Sequence, residues 1–359
     1  MNGIARMVAL ALGLAALALS FARLADAPEA FFRSYLPACL FWLGIPLGSL
    51  AWLMIHRLTL GRWGGFAGPV LRAGAAVLPV NALLFLPLGF GLPALFPWAR
   101  AGWQAQGVGQ ALWLQAGFFG LREGIVFLLW LGAAALFCRP LPVKGAGAAS
   151  ALGLIVYGLT VTVFAIDWIM SLEPRWASAN IGFLAASGSL LQGLAFATGA
   201  LCLVARRRPP PADRFADLGG LLLALVLLWS YLAFEEYLTV WSENLPGKVL
   251  WYVQRNADGW RGWIWLTAVL YGALPFLLLL SRGVKRDPRR LRLAAGLILV
   301  GGALYAYWQV LPGFYPAPSA LSPLDALPLV GIGGLWLAAF GWLLPRYLTP
   351  HGREACADD

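Results

Sequence analysis

Four stretches of this chain set ionisable side chains among apolar neighbours, where a charge is costly unless it is paired, hydrated or used. The first is VTVFAIDWIMSLEPRW, with Asp167 about one turn before the end of an apolar run and Glu173 and Arg175 just past it. A carboxylate there is placed to accept a proton or a ligand hydroxyl. The alternative is a structural pair, Asp167 or Glu173 with Arg175, at a helix junction. The second is Glu235-Glu236 in WSYLAFEEYLTVWSENLPG. Neighbours on a helix point about 100° apart, so at most one faces a given cavity. Adjoining carboxylates disfavour each other's charge, which suits proton uptake. The plainer reading is one interfacial carboxylate and one structural one.

The third is Arg122-Glu123 in LQAGFFGLREGIVFLLW. An internal salt bridge is one reading; a guanidinium that fixes a partner carboxylate or a ligand oxygen is the other. The fourth is WSENLPGKVLWYVQRNADGW, where Trp241, Trp251, Tyr252 and Trp260, with Trp263 just after, interleave with Glu243, Asn244, Lys248, Arg255 and Asp258. An interfacial aromatic belt accounts for the rings. A partner-docking surface carried by Trp241, Asn244, Trp251 and Arg255, or a lid over a lipid-phase ligand, accounts better for the polar groups. Asp167 and one of Glu235 or Glu236 are expected to face a shared cavity, with Arg122 close by.

Other chemistry lacks its residues. The two histidines, His56 and His351, both fall near helix ends, too few and too marginal to clamp haem between helices. Cys39, Cys138, Cys202 and Cys356 form no CxxC or CxxCH and read as small hydrophobes. No metal site is expected, and no phosphate-cradling glycine pattern is present. If this chain takes part in redox work, its electrons leave through another polypeptide.

The elements that must hold these residues are membrane helices. The chain is 60% hydrophobic and 12% charged, with a mean hydropathy of +0.75. A soluble domain carries roughly 25% charged residues. The apolar residues fall in blocks of about 20, a helix's worth of hydrocarbon core, and lack the alternation of an outer-membrane barrel. The expected fold is an all-α integral membrane protein of about ten transmembrane helices, at 4–24, 33–56, 66–95, 116–138, 147–171, 177–205, 215–240, 262–281, 292–311 and 325–346. Arg6, an apolar run and Ala25-Asp26-Ala27 resemble a signal peptide, but Pro28 hinders cleavage there, so the first block reads as a retained helix.

The basic residues orient the chain. With the N-terminus in the cytoplasm, Arg6, Arg57, Arg62, Arg72, Arg139, Lys144, Arg206–Arg208, Arg214, Arg282, Lys285, Arg286, Arg289, Arg290, Arg292, Arg346 and Arg353 lie inside: 18 of the 26 Lys and Arg. Both termini are therefore expected in the cytoplasm, and the acids at the outer face. The net charge of +10 reflects these loops; no basic face is interleaved with a nucleic-acid reading motif.

Several stretches carry a family resemblance: FWLGIPLGSLAWLMIHRLTLGRWG, LFPWA, FFGLREGIVFLLWLGAAAL, GLIVYGLTVTVFAIDWIMSLEPRW, YLAFEEYLTVWSENLPGKVLWYVQR and LPFLLLLSRGVKR. In this order, across 33–290, the chain resembles the NrfD/polysulphide-reductase-like membrane subunits of alternative complex III, the quinone-binding subunit 2 of quinol:cytochrome c oxidoreductases. DWxMSLxPxW, and WxxNLP followed by W(Y/F)xxR, carry most of the likeness. The resemblance implies two four-helix bundles, at 33–171 and 177–311, flanked by helices 4–24 and 325–346. It implies a subunit without redox centres of its own, beside an iron–sulfur subunit, c-type cytochromes and a second NrfD-like subunit. The chain departs from the family at Arg175 and Tyr271, where His is common, and at Glu235, where Gln is common.

The expected function is a non-catalytic membrane subunit of a respiratory quinol:electron-acceptor oxidoreductase, contributing to quinol binding or proton transfer near the periplasmic face. Its ligand would be a quinone (menaquinone or ubiquinone), bound without a covalent link, and membrane lipids would surround it. The candidate residues are Asp167, Glu235, Glu236, Arg122, Glu173 and Arg175. The alternative is a structural or assembly subunit of a terminal oxidase, without quinone chemistry. A small-solute transporter fits less well, because the acids sit at helix ends rather than at mid-membrane.

Overall fold

An apolar run in lipid must satisfy its backbone polar groups internally, and helix does this within one segment. The computed structural model describes residues 3–139, 146–204, 212–257 and 259–348, and among them there is helix and no strand. Among the described residues, ten helices are long and apolar enough to cross a membrane: α1 Gly3–Asp26, α2 Pro28–Thr59, α3 Arg62–Phe90, α4 Ala116–Phe137, α5 Ala146–Leu172, α6 Ile181–Val204, α7 Asp213–Glu243, α8 Trp260–Leu280, α9 Pro288–Gly313 and α10 Pro323–Leu348. The protein is an all-α, multi-pass membrane protein, and the spans read from hydropathy agree with these within a few residues. Lys144, Arg206–Arg208, Asp258, His351, Arg353 and Cys356 lie outside the described residues, as does the side chain of Lys248. Cys39, Cys138 and Cys202 are buried free thiols.

α2 is the central post, buried along most of its length. It packs on α3, α4 and α5 on one side and on α6 and α9 across the molecule, while α6 packs on α7 and α9, and α8 on α7 and α9. α1 and α10 run along each other, and α10 rests on α2 and α3. Small residues permit the closest crossings, as is usual where lipid supplies no hydrophobic drive. A Cβ on Gly193 of α6 would meet Ser49 N of α2 at 2.6 Å, and one on Gly48 would collide with Ser189 O. Large apolar side chains such as Leu128, Leu159, Phe183 and Leu277 stay exposed on the outer surfaces of α4, α5, α6 and α8, where a lipid belt belongs.

Alternation of the spans brings the end of α5, the start of α6, the end of α7 and the starts of α4 and α8 to one face, with the connectors 91–115, 173–180 and 244–257. The Arg-rich turns at 57–62 and 282–292 lie on the other. Short helices also lie on the acid-bearing face. Val108–Trp113 leads into α4, and Pro246–Arg255 lies between α7 and α8. Within α8, Ala268–Ala273 widens to a π-helical segment, a distortion that recurs at functional sites.

Candidate functional site

Three constellations form on the acid-bearing face. In the first, Arg122 in α4 meets Asp167 in α5. Nε donates to Oδ2 at 2.9 Å and Nη2 to Oδ1 at 2.8 Å, the two-point geometry that a planar guanidinium offers a carboxylate. Nη1 donates to the Trp113 carbonyl at 3.0 Å, and Trp113 Nε1 donates to Asp167 Oδ1 at 2.8 Å. The rings of Trp113 and Phe118 lie 4.1 and 4.4 Å from the guanidinium carbon, adding cation–π attraction in a desolvated place. Asp167 is wholly buried. The pair is an internal salt bridge, the first of the two readings of Arg122, made with Asp167 of the neighbouring helix.

Glu123 does not pair with Arg122. Its Oε2 accepts from Trp168 Nε1 at 2.8 Å, and its Oε1 has no hydrogen-bond partner although the residue is buried. The alternative in which Asp167 pairs with Arg175 is not formed: Asp167 is taken by Arg122, and Arg175 is exposed at the surface. Arg175 is local in sequence, but the helix end turns its side chain to solvent.

The second constellation holds Glu235 and Glu236. Ser178 Oγ donates to Glu236 Oε2. Asn180 Nδ2 donates to Glu235 Oε2 and to the Leu232 carbonyl, both at 2.9 Å. Thr239 Oγ1 donates to Glu235 Oε1 at 3.1 Å. The two acids diverge as helix geometry requires: Glu236 is buried and Glu235 half-buried. Ser178 and Asn180 escaped the sequence reading. Their signal was two small polar residues just before an apolar helix, where Asn180 O accepts from Leu184 N at 3.0 Å.

The third is a cap made by the helix Pro246–Arg255. Trp251 stacks on Trp176, ring centroids 4.1 Å apart and planes 9° apart. The Arg255 guanidinium lies 3.1 Å from the Trp251 ring centre and donates to the carbonyls of Trp251 at 3.1 Å and Gln309 at 2.6 Å. Burial pushes the Arg255 pKa down to about 9, opposed first by the nearby Glu173 carboxylate; it stays charged at neutral pH. Trp251 and Arg255, expected on a docking surface, instead turn inward, because their ring and fork satisfy each other under the loop. Trp241 and Asn244 remain exposed. Asn244 ends α7 in the left-handed region, φ 44°, as Asn often does after a helix.

Beside the second and third constellations lies a cleft of about 820 Å³ between α7, α8 and α9, lined at its acid-bearing end by Tyr252 and Asn256. On α7 it runs from Val226 to Tyr237, roughly 16 Å at 1.5 Å per residue. Its walls grade from Val226, Phe276 and Trp229 at depth to Tyr237, Tyr252, Asn256 and Arg261 at the acid-bearing end. Leu227, Phe234, Tyr237 and Trp265 line it and are also exposed, so it opens on the side that faces lipid. The Tyr252 phenol is held neutral: its pKa is raised by burial, then by the neighbouring Glu236 carboxylate. Neither this cleft nor a smaller central cavity is lined by Asp167, Glu235 or Glu236. Glu236 adjoins the cleft through Tyr252.

Among the described residues no three His, Cys, Asp or Glu side chains converge as metal ligands. In comparison with known proteins, the chain matches no family model and no curated protein.

Proposed function

We propose that the chain is the quinol-receiving membrane subunit of a bacterial respiratory oxidoreductase, in the inner membrane with both termini cytoplasmic. The observation that carries this reading is the lipid-side cleft, apolar and aromatic at depth and polar at the outer end, with buried Glu236 behind its Tyr252 wall. Its volume suits a small-molecule site. An aromatic headgroup on a long apolar tail fits that gradient, and the motif resemblance points to the same ligand class.

Quinol oxidation releases two electrons and two protons. The electrons pass to redox centres of partner subunits, an iron–sulfur protein and c-type cytochromes. Tyr252 and Tyr237 orient the quinol hydroxyls by hydrogen bonding, and Glu236 takes up the two protons one after the other, passing each to the outer aqueous face before it accepts the next. Ser178, Asn180 and Thr239 hold the two carboxylates apart. The test is quinol-dependent turnover of the assembled complex carrying Glu236→Gln, which keeps the hydrogen bond to Ser178 and removes the proton acceptor. Lost turnover with intact assembly supports the reading.

A second reading, a structural or assembly subunit associated with a terminal oxidase, is favoured by the Arg122–Asp167 pair. Every contact of that pair is internal, so it braces α4 against α5 with no ligand required.

A further inference from the structure

The interior holds a second cavity, of about 80 Å³, where α2, α5, α6, α7, α8 and α9 meet. Two of its lining groups are orphans. Gln192 Oε1 and Trp229 Nε1 have no hydrogen-bond partner in the protein, and both residues are more than nine-tenths buried. Gln192 stands at the middle of α6 and Trp229 near the middle of α7. Neither aqueous face is within reach.

The Trp229 indole borders a gap left by a glycine, and Gln192 lines the same cavity on the α2 side, against Gly44. A Cβ on Gly188 would sit 3.5 Å from Trp229 Nε1 and 3.8 Å from Tyr271 Oη, both ordinary contact distances. The Trp229 ring is fixed edge-on against Tyr271 and Tyr305, at 4.4 and 4.9 Å between centroids, so its N–H cannot swing away to another acceptor. One orphan is a donor and the other an acceptor. A ligand that both accepts and donates completes the pair.

We propose that this cavity is a built water site, in which a small hydrogen-bonded water cluster accepts from Trp229 Nε1 and donates to Gln192 Oε1 at the middle of the membrane. A buried amide or indole without a partner is expensive, and buried waters in proteins sit at polar sites of this kind, while apolar cavities stay dry. A water needs roughly 10–15 Å³ of such volume, so the space holds several. Leu184, Trp229 and Tyr305 line both this cavity and the cleft. The water site therefore lies one layer of side chains behind the cleft, and it stands whether or not the cleft takes quinol.

Gly188→Ala in the full chain separates a wet cavity from a dry one by sign. Unfolding is followed by labelling of the buried thiols Cys39, Cys138 and Cys202. If water fills the gap, the new methyl displaces it and strands Trp229 Nε1, and Tm falls by a few degrees. The same substitution in a Trp229→Phe background, where there is no donor to strand, lowers Tm much less or raises it. If the cavity is dry, Gly188→Ala fills space and removes a helix-interior glycine, and Tm rises, which overturns the proposal. An equal fall in both backgrounds is a steric clash and overturns it too. A density map of the native protein offers a check that needs no variant: a peak within hydrogen-bond distance of Trp229 Nε1 supports the site, and its absence at a resolution that shows other buried waters refutes it.

Discussion

The Arg122 guanidinium and the Asp167 carboxylate meet edge to edge, at 2.8 and 2.9 Å, with an indole closing the same carboxylate from a third direction. Such a pair is weak evidence for stability as a whole, because both charges lost their water. Removing one partner is another matter. Asp167→Asn leaves a buried guanidinium uncompensated, at a cost of roughly 3–5 kcal/mol. We expect a lowered thermal midpoint and poorer assembly, read by melting the purified protein. Arg122→Met with Asp167→Leu together should recover most of the loss. An Asp167→Asn variant that melts like the wild type and loses only turnover would assign the carboxylate to chemistry instead.

Glu236 and Glu235 separate in the same way that their burial does. Glu236→Gln should lower quinol-dependent turnover by about 10²-fold, the lower range for a lost proton acceptor, with assembly kept. Glu235→Gln should do far less: Asn180 and Thr239 can still bond the amide, and Gln is what the resembling family commonly carries there. Equal effects from the two would show that neither carboxylate is special.

In the cap, Trp251 and Trp241 make an internal control. Trp251→Ala removes a buried ring from between Trp176 and Arg255 and should destabilise by about 3–5 kcal/mol. Trp241→Ala, at an exposed ring, should change stability by no more than about 0.5 kcal/mol. If Trp241→Ala leaves the isolated chain unchanged but weakens co-purification of other subunits, the exposed end of this loop is the docking surface.

Orientation is open to a direct check. Topology reporters fused after Arg208 and after Arg290 should both read cytoplasmic, and one after Lys248 periplasmic. The reverse pattern would place the cleft's polar end in the cytoplasm and remove the periplasmic quinol reading.

The ten spans were legible because hydrocarbon thickness sets their length and each lies within one run of sequence. Asp167, Arg122 and Glu236 were legible as sites because an ionisable group among apolar neighbours stands out whatever it contacts. Their partners were not. Arg175, eight residues on, was the obvious mate for Asp167, and the true one lies on another helix, 45 residues away. Trp251 and Arg255 looked like surface residues because a loop between helices usually lies at the surface; their burial depends on Trp176 and Gln309, which only tertiary packing supplies. The cleft left no signal at all, since its lining residues are ordinary for membrane helices and only their convergence is informative.

The central claim is that the cleft between α7, α8 and α9 holds quinol. Its most direct measurement is the quinone content of the purified native assembly, extracted into organic solvent and quantified against protein, for the wild type and for Ala268→Trp. Ala268 lines the cleft at an exposed position of α8, so an indole there fills the space without entering the core. The account predicts quinone in near-stoichiometric amount in the wild type and its loss in Ala268→Trp with subunit composition unchanged. Equal quinone in both assemblies, or a wild-type assembly that carries phospholipid and no quinone, would contradict it.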